Sequence, residues 1–221
     1  MRHLLQPKVL NRAVLAALVT ALACYPQLLF WLDRPDSIWL LDATIFLCSI
    51  VLWGFVFAWH EPYTRRPVWG FKLEPAPFVT VTAIAITVAA VFHLWLDPPL
   101  RLKAPDEYPA DLNHWLAQLL FFMFLLQLFL LFAPFAWLMR LCKNRRAAAI
   151  LTVLFSAFVL VLANQSRKTP VPSPLFGVLL ACRTVTGLLA VWFYLRGGII
   201  LIWWWTLLFE SRHLLALLGH S

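Results

Sequence analysis

Arg183 and Glu210 are the residues of this sequence best placed for chemistry, because each interrupts a stretch that is otherwise apolar. An ionised side chain in hydrocarbon is costly, so it is kept where it is paired or functional. Arg183 lies 13 residues before Arg196, and Glu210 lies 13 residues after Gly197. At 1.5 Å per helical residue, both sit ~20 Å from a turn at Arg196-Gly197-Gly198. Antiparallel helices meeting at that turn hold the two charges level, and the spacing predicts an intramembrane ion pair. Structural neutralisation is the plain reading of such a pair. A binding or catalytic site is the second, and snorkelling of Arg183 to headgroups is the third.

Five further polar side chains sit at the ends of apolar blocks: Asp42, His93, His114, Asn164 and His213. With Glu210, which shares a helix face with His213 at i, i+3 spacing, they are candidates to line a polar cavity on one side of the membrane. The bland alternative puts them at the headgroup boundary, where polar groups are cheap. Histidines and carboxylates together could ligate a metal, yet there is no HExxH, and the ligands would come from five helices. No metal site and no cofactor is expected. GxGxxG, GxxxxGK[ST] and GxSxG are all absent from the sequence.

The elements that must position these residues follow from composition. Of 221 residues, 62% are hydrophobic and 13% charged, about half the charge of an ordinary soluble domain. The apolar residues fall into seven blocks at roughly 13–32, 38–59, 77–96, 114–139, 147–164, 174–195 and 198–217. Twenty residues of helix cover ~30 Å, one hydrocarbon thickness. The fold expected is an all-α polytopic bundle of about seven spans, forming a single membrane domain over 1–221. The last block, interrupted by Glu210, Arg212 and His213, is the one whose full crossing is open. It could instead stop near Phe209 and continue as an interfacial helix.

Lys and Arg set the expected orientation. Arg2, Lys8, Arg12, Arg65, Arg66, Lys72, Arg140, Lys143, Arg145, Arg146 and Arg196 fall on one side, against Arg34, Arg101, Lys103, Arg167 and Lys168 on the other. That bias predicts a cytoplasmic N-terminus and, with an odd number of spans, a C-terminus outside. The net charge of +8 is spread over short loops, so it reads as topology and not as a nucleic-acid surface. The four cysteines show no metal-ligand or disulfide spacing. The basic start followed by an apolar run reads as an uncleaved signal anchor, which fits a bacterial inner membrane.

Residues Phe155 to Asn164, the turn Tyr194-Leu195-Arg196-Gly197-Gly198-Ile199 and the stretch Arg66-Pro67-Val68-Trp69-Gly70 give the chain a resemblance over roughly 66–210. It resembles the CPBP family of CAAX-protease and bacteriocin-processing intramembrane proteases. That family carries an EExxxR motif, then FxxxH, then HxxxN. At the corresponding places this chain reads Leu131-Phe132-Ala133-Pro134-Phe135, then Leu160 and Asn164, then Thr206 or Leu207 and Glu210 or Ser211. The family glutamate activates water as a general base, and neither Ala133 nor Pro134 can do so. The resemblance therefore implies a protease-like pseudoenzyme: a non-catalytic membrane subunit or scaffold that binds a partner protein or lipid within the bilayer. The partner expected is a membrane or periplasmic protein. The alternative is an intramembrane hydrolase using Glu210, His213 and either Asn164 or His93. A small transporter is disfavoured, because no inverted repeat is visible.

Overall fold

The computed structural model describes residues 6–31, 35–70, 75–105, 108–167 and 170–218. Arg2, Arg34, Lys72 and Lys168 lie outside them. Among the described residues six helical stretches are long and apolar enough to cross a membrane: α1 (Pro7–Trp31), α2 (Ser37–Thr64), α3 (Pro75–Lys103), α4 (Leu112–Cys142), α5 (Arg145–Gln165) and a final run, Ser173–Leu218, of 46 residues. That final run is not one rod. Gly198 is non-helical, with φ 65° and ψ −157°. The rings of Phe193 and Trp205 lie 5.2 Å apart, although 12 residues of straight helix would separate them by ~18 Å. The run is therefore a hairpin of two arms, α6 over 173–197 and α7 over 199–218. The expectation of an all-α bundle of about seven spans holds.

Local sequence explains the breaks. Asp111 accepts a hydrogen bond from the His114 amide at 2.7 Å and starts α4. Asn144 does the same for α5, accepting from the amides of Arg146 and Ala147, as N-cap residues do. Among the described residues four π-helical turns interrupt the spans, at Val56–His60, Phe92–Leu96, Phe122–Leu126 and Leu128–Phe132. Three of them end within two residues of a proline: Pro62, Pro98 and Pro134. Proline removes an N–H from the helical ladder, and a widened turn absorbs that loss.

The basic loops gather at one end. Arg66 donates to the Leu195 carbonyl, and Arg145 donates to the Thr64 carbonyl at 2.6 Å. The Ile199 amide donates to the Val68 carbonyl at 3.0 Å, which seats the 65–70 loop on the α6–α7 turn. Two glycines make this approach possible. A Cβ on Gly70, whose φ is +66°, would fall 1.9 Å from the Gly197 carbonyl oxygen, and a Cβ on Gly198 would fall 2.6 Å from the Val68 oxygen.

The main core lies toward this end and joins all seven helices. It is centred on Trp53, Phe132, Phe135, Phe193, Tyr194 and Trp205. A second apolar cluster, with Cys24, Leu28, Ile38, Ile45 and Phe121, binds α1, α2 and α4 toward the opposite end. Trp53 donates to the Thr20 hydroxyl at 3.0 Å and locks α2 to α1. Elsewhere large side chains point outward, among them Leu22, Leu47, Val79, Phe158 and Val185. Such a belt is a liability in water and the ordinary surface of a helix in lipid.

Candidate functional site

From mid-depth toward the end opposite the basic loops, α4, α5, α6 and α7 do not close on one another. A cavity of about 360 Å³ lies between them, toward the small end of the range for ligand pockets. One wall is the π-helical part of α4, including Phe122, Leu126, Gln127 and Leu131. The others are Thr152, Ser156 and Leu160 of α5, Arg183, Thr186 and Ala190 of α6, and Thr206, Phe209 and Glu210 of α7. Beyond the 142–145 turn, α5 packs on α4 chiefly at residues 128–142, where Phe129 and Phe155 meet edge to face at 5.7 Å. Outward of that contact the two helices part, and the cavity fills the gap.

The two charges expected to pair both line this cavity, so their depths match, but each is held by other groups. Arg183 donates from Nε to the Ser156 hydroxyl at 2.8 Å, and its two Nη groups meet no acceptor among the described residues. The Glu210 carboxylate lies 3.6 Å from Arg212 Nη1 and 3.3 Å from His213 Nε2. The expected ion pair is thus replaced by two separate contacts, and no Arg183–Glu210 salt bridge occurs among the described residues.

Arg212 also donates from Nε to Asp97 at 3.2 Å, with the two side chains only 9% and 3% exposed. Two buried carboxylates therefore share one guanidinium. Tyr108 donates to Asp97 at 3.2 Å and packs edge-on to His213. Burial, and then the charge of Asp97, push the Tyr108 phenol above its ordinary range. Trp115 of α4 donates to the Glu210 carbonyl at 3.0 Å. Together these contacts pin the end of α7 to α3, α4 and the 104–111 loop.

The other candidates scatter. His114 stacks on Phe30 at 4.6 Å, between α1 and α4. Asn164 accepts from the Val171 amide at 3.0 Å and shapes the turn after α5. His93 lies in the π turn of α3 with a buried Nδ1 that has no partner, and Asp42 in α2 has a buried Oδ1 likewise unpartnered. His213 sits behind Glu210. The shared polar cavity expected from Asp42, His93, His114, Asn164 and His213 does not form, because block ends close in depth lie on different faces of the bundle. Among the described residues no group of three metal-ligating side chains comes together.

Sequence reasoning missed the hydroxyl and amide lining. Thr152 and Ser156 at i, i+4 put a polar stripe on α5, and Thr206 and Glu210 do so on α7. Gln127 donates to the Thr206 hydroxyl at 3.1 Å. Asp97 falls just outside the third apolar block and Arg212 interrupts the last one, yet both are buried.

The fold and site define a polytopic membrane helix bundle with a half-polar cavity inside the membrane-spanning region. No family model, curated protein or solved structure matches this chain.

Proposed function

We propose that this protein is a non-catalytic membrane subunit that works by holding a membrane-embedded molecule in the cavity between α4, α5, α6 and α7. The observation that carries the reading is Arg183, a cation within a membrane span that lines the cavity and whose outer nitrogens meet no acceptor among the described residues. Such a group within a span is a functional candidate by default. The resemblance to CPBP-type proteases is part of the proposal. Leu131, Leu160, Thr206 and Glu210, which stand at or beside the places of that family's motif residues, line one and the same cavity. Leu131 and Leu160 have no ionisable group. The remaining acid, Glu210, is engaged by Arg212 and His213, which disfavours a free general base. A bacterial inner membrane, with the basic end in the cytoplasm, is the proposed location.

The test is extraction in a mild detergent followed by mass spectrometry of everything that stays bound. The comparison is Ala190→Leu, which fills the cavity. A stoichiometric molecule retained by the parent and lost from the variant supports the reading. Hydrolysis of a membrane peptide that depends on Glu210 would replace it with the enzyme alternative.

A further inference from the structure

The cavity's hydrogen-bonding groups are unbalanced, and the imbalance points to the sign of what it holds. Thr152 and Thr186 have spent their hydroxyl protons on the carbonyls of Ala148 and Cys182. Ser156 has not: its oxygen accepts from Arg183, so its proton is free to be donated. The same is true of Thr206, which accepts from Gln127. The Arg183 Nη groups add further donors. The carboxylate on the wall, Glu210, is taken up by Arg212 and His213. Against these donors stands the Gln127 amide oxygen, so a net cationic, donor-rich pocket is left beside Leu126, Leu131, Leu160 and Phe209. Guanidinium groups bind carboxylate and phosphate by paired N–H bonds.

Depth and shape narrow the class. Arg183 stands 10 residues into the run that begins at Ser173, ~15 Å along the helix and about half of a hydrocarbon thickness. Water-borne anions do not reach that level unaided. An anion attached to an acyl chain does, and the gap between α4 and α5 outward of Phe129 and Phe155 gives its chain a way into the bilayer. The volume, about 360 Å³, takes a headgroup and the first methylenes but not a whole lipid.

Resting on the reading above, we propose that the cavity binds an anionic lipid, with its carboxylate or phosphate on Arg183, Ser156 and Thr206 and its acyl chain leaving between α4 and α5. Purified protein is equilibrated with oleate, with phosphatidylglycerol or with phosphatidylcholine, and the lipid retained per chain is counted by mass spectrometry. The parent is expected to hold oleate or phosphatidylglycerol. Loss of a charge-assisted bond should weaken retention at least about tenfold in Arg183→Gln, with Arg183→Lys intermediate. Which of the two anions is held tells a carboxylate from a phosphate. Equal retention by the parent and Arg183→Gln, or phosphatidylcholine held as well as phosphatidylglycerol, overturns the anionic-lipid assignment. A protein co-purifying with the parent and lost with Arg183→Gln, with no lipid change, overturns the lipid but leaves the binding reading standing. No bound molecule of any kind in the parent overturns both.

Discussion

Replacing Arg212 with methionine removes the cation that two buried carboxylates share. Its Nε lies 3.2 Å from Asp97, and its Nη1 lies 3.6 Å from Glu210, with all three side chains at most 9% exposed. At an effective dielectric of about 20, Coulomb attraction at 3.2 Å is roughly 5 kcal/mol, and a little less at 3.6 Å. Part of that is offset by desolvation, and breaking a buried pair from one side costs about 3–5 kcal/mol. For a chain of this size that corresponds to a fall in melting temperature on the order of 10 °C. Tryptophan fluorescence of the detergent-solubilised protein, heated at a fixed rate, measures it. Asp97→Asn should cost less, because Arg212 keeps Glu210. Adding Asp97→Asn to Arg212→Met should restore part of the loss, because one of the two stranded carboxylates is then neutral. An Arg212→Met melt within about 2 °C of the parent, or strict additivity of the two changes, would refute the shared-cation geometry.

Three other outcomes follow from the same contacts. Exchanging the charges as Arg183→Glu with Glu210→Arg should not rescue membrane accumulation relative to the single changes, because the two residues have different partners; rescue on immunoblots would restore the direct pair. Gly70→Ala should sharply reduce accumulation, since its Cβ meets the Gly197 carbonyl, while Gly177→Ala, with nothing within 4 Å of its Cβ, should be neutral or stabilising by up to about 1 kcal/mol; equal melts would refute the loop-on-turn contact. The Tyr108 phenol, raised by burial and by Asp97, should show no phenolate absorbance as pH passes about 10, the ordinary tyrosine value. Its contribution to stability is complete below that value and is lost as the pH climbs through the raised folded one, whereas ordinary titration would contradict its burial.

Much of the bundle was readable because a bilayer imposes its own length on each span. The hairpin at Arg196-Gly197-Gly198 and the similar depth of Arg183 and Glu210 followed from counting residues at 1.5 Å each. Counting gives height and not azimuth, however, and that is where the site reading departed from the structure. Asp42, His93, His114 and Asn164 sit near block ends but on different faces, and the partner of Glu210 proved to be Arg212, two residues along. Asp97 falls just past the third apolar block, outside the span that hydropathy marks. The π turn at Phe92–Leu96 carries the helix past it, and Asp97 becomes buried. Nothing in hydropathy announces a π turn, although the following prolines were a usable hint. The polar stripes of α5 and α7 were visible in the sequence and carried more information than the isolated histidines.

Adjacent residues of α6 offer the most direct test. Thr186 lines the cavity, while Val185 faces outward at 57% exposure. With Cys24, Cys48, Cys142 and Cys182 replaced, Thr186→Cys should react with a thiol reagent carried on an anionic amphiphile, faster than with its cationic counterpart because Arg183 attracts it. Val185→Cys should stay unmodified in the bilayer. Modification of Val185→Cys with Thr186→Cys silent, or equal rates for the two reagents at Thr186→Cys, would contradict a cation-lined cavity between these helices.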